Sequence, residues 1–339
     1  MSRRLIIASL GLLLIAGRAS ADGPGTGGAQ FLTIEQGARA LGMGGAFTSV
    51  SDDANSLWWN PAGLSRSAYS EVTLSHTAYL DNVATEYVGF IRPYAPVHGT
   101  LGASLMYLNV PGIDGTDANG NPSGSLKTNA YIGTVSYGLS ISTGLTFGVT
   151  AKYLSENLGG VSGTGFAADL GVQYWGDSYG VAAVIQNFGP SFKLGGSSDP
   201  LPRDLRFGAY YKPHKSLLLS FDEEKPYNDT ARAHLGGEWA VLEAVRLRAG
   251  FEQVPNVAGA GVTAGIGVAG AFGGGKEKSK ESSDVDAFKP FWERMSAAPG
   301  QDFKAAVKNG AVIVGLDYAF VSYGSSLSDV QRVTLTVRF

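Results

Sequence analysis

The chain of 339 residues contains no cysteine. Disulfides are therefore excluded, and so is a lipid anchor carried on a cysteine. Charge is scarce at 16% of residues, and the 26 Lys and Arg do not outnumber the 29 Asp and Glu. Nucleic-acid binding requires a basic footprint, so no nucleic-acid partner is expected. Beyond residue 21 no apolar run approaches the roughly 20 residues of a spanning helix. Histidine is rare as well. His76, His98, His214 and His234 show no metal-ligand spacing, and no serine–histidine arrangement stands out. Neither a metal, nor a cofactor, nor catalysis is expected on these grounds.

What is present begins with "MSRRLIIASLGLLLIAGRASA". Arg3 and Arg4 precede a short apolar run, and Ala19-Ser20-Ala21 supplies a small-residue cleavage site. That is the layout of a secretory signal peptide over residues 1–21. Its removal leaves 23 basic against 29 acidic residues, a balance of −6. The exported chain is rich in glycine, with 48, and carries 15 Tyr and 16 Phe. Without a spanning helix, this composition points to an all-β protein.

From Tyr69 onward, side-chain character alternates with a period of two. Leu145, Phe147, Val149, Ala151 and Tyr153 share one face, against Thr146, Gly148, Thr150 and Lys152. Val333, Leu335, Val337 and Phe339 do the same at the end of the chain. Soluble sandwiches also alternate. Here the segments run to about 10 residues, longer than an ordinary strand and matched to a tilted membrane strand. Their ends carry Tyr and Trp, as an interfacial girdle does. The non-aliphatic face holds Gly, Thr, Arg, Asp and Glu, which suits a polar lumen. The spacing predicts a transmembrane antiparallel β-barrel of about 14 strands over residues 69–339. The strands fall near 69–78, 84–93, 98–108, 126–138, 143–154, 164–174, 179–187, 203–212, 216–222, 230–238, 245–252, 259–270, 311–320 and 330–339. Short links alternate with longer ones at 109–125, 155–163, 188–202 and 223–229. Outer-membrane barrels have short periplasmic turns, so this alternation predicts periplasmic N- and C-termini. An insertion at 271–310 falls on the periplasmic side by strand parity; its Phe288, Phe291, Trp292 and Met295 fit one face of a short helix.

Ahead of the first strand stands "GARALGMGGAFTSVSDDANSLWWNPAGLS", from Gly37 to Ser65. A 14-strand lumen is too wide for its own side chains to fill. A compact segment of small residues over 22–68 can enter it, because Gly42, Gly44 and Gly45 permit close backbone approach. Asp52 is placed to cap a short helix ending at Trp58 and Trp59. Asn60 then caps a second turn, with Pro61 and Ala62 in its first positions. Arg206, Arg232, Arg246 and Arg248 fall on the polar face, where buried charge needs partners. Glu238, Glu252 and Asp317 supply some of these, and Glu35, Asp52 and Asp53 of the luminal segment are expected to supply the rest. His234 reads as part of the same network.

The Gly37–Ser65 stretch resembles the N-terminal signature of the PorV/PorQ family, which is related to the FadL-type outer-membrane transporters. "QNFGPSFKLGGSSDPLPRDLRFGAYYK" (Gln186 to Lys212) and "GLDYAFVSYGSSLSDVQRVTLTVRF" (Gly315 to Phe339) extend the resemblance over nearly the whole mature chain. It implies about 14 strands and an N-terminal hatch that includes Asn60-Pro61-Ala62. The terminal Phe339 is a general assembly signal of outer-membrane barrels.

Two functions follow from the resemblance. One is passage of hydrophobic small molecules past the hatch, and the other is a barrel component of type IX-like protein secretion. A general diffusion porin or a purely structural barrel is the alternative. The implied partners are outer-membrane lipid and lipopolysaccharide, the barrel-assembly machinery, and a hydrophobic ligand or secretion-system proteins. Orientation is open to test at Ser282 in the insertion. In Ser282→Cys the new thiol is the only one in the chain. A membrane-impermeant maleimide should fail to label it in intact cells, and labelling would overturn the predicted strand count and orientation.

Overall fold

The computed structural model describes residues 27–79, 82–117, 119–253, 261–273, 310–323 and 329–339. The leader and residues 284–298, expected as an amphipathic helix, lie outside the described residues. Among the described residues, sixteen strands form one sheet. They are β1 (Glu71–Ala78), β2 (Ala84–Tyr94), β3 (Gly99–Thr116), β4 (Pro122–Ser142), β5 (Leu145–Leu158), β6 (Val161–Trp175), β7 (Tyr179–Phe188), β8 (Phe192–Leu194), β9 (Ser197–Asp199), β10 (Asp204–His214), β11 (Leu217–Pro226), β12 (Arg232–Leu242), β13 (Val245–Glu252), β14 (Val262–Gly273), β15 (Ala311–Ser322) and β16 (Val330–Arg338). Fourteen of them, all but β8 and β9, pair antiparallel with their neighbours and close on themselves through β1 and β16. At that seam Ser70 and Phe339 exchange both backbone hydrogen bonds, at 3.1 and 3.0 Å.

The period of two becomes two surfaces. In β5 the inward Thr146, Thr150 and Lys152 are buried, while Phe147 and Tyr153 stand exposed on the outside. Val135, Phe166, Leu219 and Trp239 continue the outer apolar surface on other strands. An inverted profile of this kind, apolar outside and polar inside, is stable only where the solvent is lipid. Among the described residues no helix is long and apolar enough to cross a membrane.

Two expected loops are largely strand. β3 and β4 extend to Thr116 and from Pro122, and β5 and β6 meet across Gly159 and Gly160, both left-handed at φ 59° and 92°. Residues 122–127 are exposed on both faces of β4. With solvent on both sides the alternation vanishes, so the ladder continues where the hydropathy pattern stops. The link at 188–202 contains the β8–β9 hairpin, which pairs with β6 and buries Phe192 edge-on to Phe31, ring centroids 6.3 Å apart.

Residues 27–70 run through the lumen. They comprise a 3-10 turn (Gln30–Thr33), α1 (Ala38–Gly42), α2 (Ser56–Trp59) and a second 3-10 turn (Pro61–Arg66). The course corrects one expectation. Gly28 donates its N–H to Pro200 O in the link between β9 and β10, so the described start of the chain lies at the mouth opposite Phe339. We call the end holding Phe339 the C-terminal mouth and the other the far mouth.

The wall is cut to admit this backbone. Gly138, Gly148 and Gly171 are cross-strand partners in a row, as are Gly236 and Gly250. A Cβ on Gly148 would lie 2.1 Å from Pro61 C, one on Gly171 2.0 Å from Asn60 Oδ1, and one on Gly250 2.3 Å from Gly44 N. Gly148→Val should therefore unseat the 61–66 turn and cost about 1–3 kcal/mol through overpacking. Gly133→Val is the matched control, since no atom lies within 4 Å of its added Cβ. Thermal unfolding followed by tryptophan fluorescence separates the two, and equal melting temperatures would refute the steric fit.

Candidate functional site

The luminal segment is bonded to the wall by its backbone, because buried N–H and C=O groups must be paired. Thr334 Oγ1 accepts from Ala38 N–H at 2.9 Å, Asp222 Oδ2 from Thr48 N–H at 2.7 Å, and Glu71 Oε1 from Ala54 N–H at 2.8 Å. Gln186 Nε2 donates to Trp58 O at 2.7 Å, and Thr263 Oγ1 donates to Gly42 O at 3.2 Å. These wall groups are inward-facing positions on five different strands.

Both tryptophans are anchors. Trp59 is 1% exposed, donates its indole N–H to Gln36 O at 2.8 Å and lies 5.0 Å below the Arg206 guanidinium carbon. Trp58 packs edge-on to Tyr87, with Lys152 Nζ 5.4 Å from its ring centroid. Lys152 is itself paired with Asp169 at 2.8 Å. Asn60 caps the 61–66 turn as expected, its Oδ1 accepting from Ala62 N–H at 3.1 Å with Pro61 in the first position.

The cap of α2 is a correction: Asn55 stands at its N-terminus and no side chain caps the helix. Asp53 Oδ1 instead accepts from Asn55 N–H and Asn55 Nδ2 just before it, each at 2.9 Å. Asp52 is drawn away to Arg39 at 2.6 Å and Arg66 at 3.5 Å. Burial alone would raise the Asp52 carboxyl, but the neighbouring Arg39 and Arg66 guanidinium groups overcome this and hold it below the ordinary carboxylate range.

The charge network divides into two clusters. Toward the C-terminal mouth, Arg39 of α1 binds Asp52, Asp53 and, with two nitrogens, Glu238 of β12 at 2.9 and 3.1 Å. Glu238 also accepts from Arg248, which reaches Asp317 at 2.6 Å. The expected direction of the tether is thus reversed. Asp52 and Asp53 hold the segment's own Arg39, and it is this arginine that reaches a wall carboxylate. Toward the far mouth, Glu35 does meet Arg206, at 3.4 Å, and Arg206 is shared with Asp204 and Glu224. Arg232 pairs with Asp229. Arg246 and Glu252 each line a cavity and make no ion pair among the described residues. Arg39, Asp204, Glu224 and the Lys152–Asp169 pair escaped the sequence reading. For all of these but Arg39, which lies on α1, an inward position in an alternating strand was the available signal.

Among the described residues, two cavities flank α1 inside the barrel. The far one, about 350 Å³, is lined by Leu32, Leu41, Trp58, Trp59 and Tyr323 together with Glu35, Arg206, Glu224, Glu252 and Arg332. The other, about 360 Å³, opens toward the C-terminal mouth beside Arg39, Asp52, Arg66, Arg246 and Arg338. Leu41 faces the first and Arg39 the second, so α1 is the partition between them. Among the described residues no group of three or more His, Asp or Glu is arranged to hold a metal ion.

The sequence model of the family described as type IX secretion system protein PorV matches residues 20–214, more than half of the chain. No curated relative matches it. Among solved structures, the toluene transporter TbuX of Ralstonia pickettii is similar at a TM-score of 0.56 and 13% identity, over 90% of this chain and 98% of that one. The toluene transporter TodX of Pseudomonas putida gives 0.55 and 13%, over 89% and 97%. A FadL homologue from Pseudomonas aeruginosa gives 0.52 and 11%, over 90% and 98%. At such identities the likeness is one of fold.

The Arg39 cluster makes a prediction about stability. Arg39→Met strands Asp53 and Glu238, both largely buried, and should cost about 3–5 kcal/mol. The tie to Asp52 is complete at neutral pH, because a lowered folded-state value stabilises above the unfolded one and is lost as pH falls through it. Urea unfolding monitored by tryptophan fluorescence checks the first point. A loss of stability below about pH 4 in the parent that is reduced in Arg39→Met checks the second.

Proposed function

The chain belongs to the PorV family, and from that premise we propose that this outer-membrane barrel passes small hydrophobic molecules through its lumen, with the luminal segment as a hatch. The observation that carries the proposal is the α1 partition. Two cavities of ligand size lie on either side of one short helix, and pockets of a few hundred Å³ are typical of small-molecule sites. The lining of the far cavity includes the aromatic and aliphatic side chains of Trp58, Trp59, Leu32 and Leu41. In this reading the far mouth faces outward, the C-terminal mouth faces the periplasm, and the outer apolar belt lies against lipid. The toluene-transporter fold of the similar structures supports it.

A second reading, as a barrel component of protein secretion, is favoured by the description of the family itself. The long β3–β4 hairpin, whose tip is exposed on both faces, offers such a role a surface beyond the membrane.

Proteoliposomes containing this protein alone distinguish the two. Uptake of a hydrophobic probe into an internal reporter is expected under the first reading. The chain has no cysteine, so Ala38→Cys with Ala319→Cys, two fully buried positions in one cluster, can tie α1 to the wall. The tie should abolish uptake, and a reductant should restore it. Absence of uptake, with co-purification of exported proteins from cells, would support secretion instead.

A further inference from the structure

His234 lies on β12, faces the lumen and is 0% exposed. Its two ring nitrogens meet two acceptors. Nδ1 is 2.8 Å from Gly44 O of the luminal segment, and Nε2 is 2.9 Å from Glu224 Oε2 of β11. A backbone carbonyl only accepts, and an ionised carboxylate only accepts. A neutral imidazole has one N–H and cannot serve both. The two bonds coexist in only two ways. Either an imidazolium donates twice, or a neutral imidazole donates to Gly44 while a protonated Glu224 donates back to Nε2. Both arrangements contain one proton more than a neutral imidazole beside a carboxylate.

The surroundings favour that proton. Glu224 and Asp222 face His234 from β11, and Glu252 is its cross-strand partner on β13. Glu35 approaches from the luminal segment, since a side chain at Gly45 would touch both Glu35 Oε1 and His234 Nδ1. Asp204 is held by Arg206, itself 3.1 Å from Glu224 Oε2. Arg206 of β10, Arg232 of β12 and Arg332 of β16 are the cations around it and, with Asp229 beside Arg232, they face six carboxylates. A surplus of nearby negative charge stabilises the protonated form.

The bond to Gly44 ties down the element that separates the two cavities. Gly44 and Gly45 form the left-handed turn that ends α1, at φ 64° and 74°. A Cβ on Gly44 would lie 2.5 Å from Phe251 N, so the turn is pressed against β13. We infer that His234 and Glu224 form a proton-binding site whose occupancy locks the α1 partition to the wall. Loss of the proton leaves one N–H, which the charged carboxylate takes in preference to the carbonyl. Gly44 O then faces a ring lone pair and the turn is released. The locked form binds the extra proton, so the lock holds at low pH and fails as pH rises through the titration of the pair. The gating half of this inference rests on the hatch reading, whereas the proton site does not.

The test is the full-length protein in planar bilayers between about pH 5 and pH 9, either side of the ordinary histidine range. Conductance should rise severalfold with pH. Glu224→Gln offers Nε2 an amide N–H at any pH, leaves Nδ1–H for Gly44, and should give a low, flat profile. His234→Phe has no lock and should give a high, flat profile. ¹⁵N-histidine spectra of the parent in micelles read the proton directly among four histidines. If the His234 ring nitrogens titrate with the conductance, the inference stands. If they show a neutral imidazole with an ionised Glu224 at about pH 5, or if His234→Phe keeps the parental profile, it is overturned. A titrating His234 in a protein without probe uptake would retain the proton site and reject the hatch reading.

Discussion

A fourteen-strand barrel encloses more space than its own inward side chains can fill, and this shortage governs the interior. The filling here is backbone, from residues 27–70, and backbone brings obligatory donors and acceptors that water cannot serve in a closed lumen. Several of its peptide groups therefore find wall side chains. Thr334, Asp222, Glu71 and Gln186 are inward strand positions that pair with the segment's backbone and not with each other. The same shortage accounts for the glycine rows. Backbone can approach backbone closely only where no Cβ intervenes, so Gly148, Gly171 and Gly250 in the wall complement Gly42 and Gly44 in the segment.

Charge is arranged by the same constraint. Burying arginines and carboxylates costs more than their attraction returns unless each is well satisfied. Arg39 is satisfied by three carboxylates, one from the wall and two from its own segment. That geometry makes the segment partly self-neutralising and leaves a single strong ionic tie across to β12. The far cluster is looser. Its members share partners, line a cavity and include His234, which has more acceptors than a neutral ring can serve. Ionic ties are thus densest on the C-terminal side of α1, while the far side holds a group that can change its charge.

Barrel strands were legible because lipid and lumen impose opposite polarity on alternate residues, as β5 shows from Leu145 to Leu154. The pattern failed where that contrast ends. Residues 109–116 and 122–127 are strand, but both faces of 122–127 are bathed by water. The Asn60–Pro61 turn was legible because its chemistry is local. The Asp52 assignment failed because a local cap competed with Arg39, thirteen residues away in sequence, and the ion pair won. Of the predicted lumen arginines, Arg206 and Arg248 entered dense clusters, whereas Arg246 did not.

Composition and periodicity alone determined a β-barrel with a polar lumen, its approximate strand number, and a small-residue segment fit to enter it. These are properties of neighbouring residues, and a period of two encodes them directly. Tertiary structure alone decided that the segment's described start lies at the mouth opposite Phe339, that Arg39 and not Asp52 makes the tie to the wall, and that His234 stands between Gly44 and Glu224. Each joins residues far apart in the chain, and only closure of the barrel sets the register that brings them within hydrogen-bonding distance.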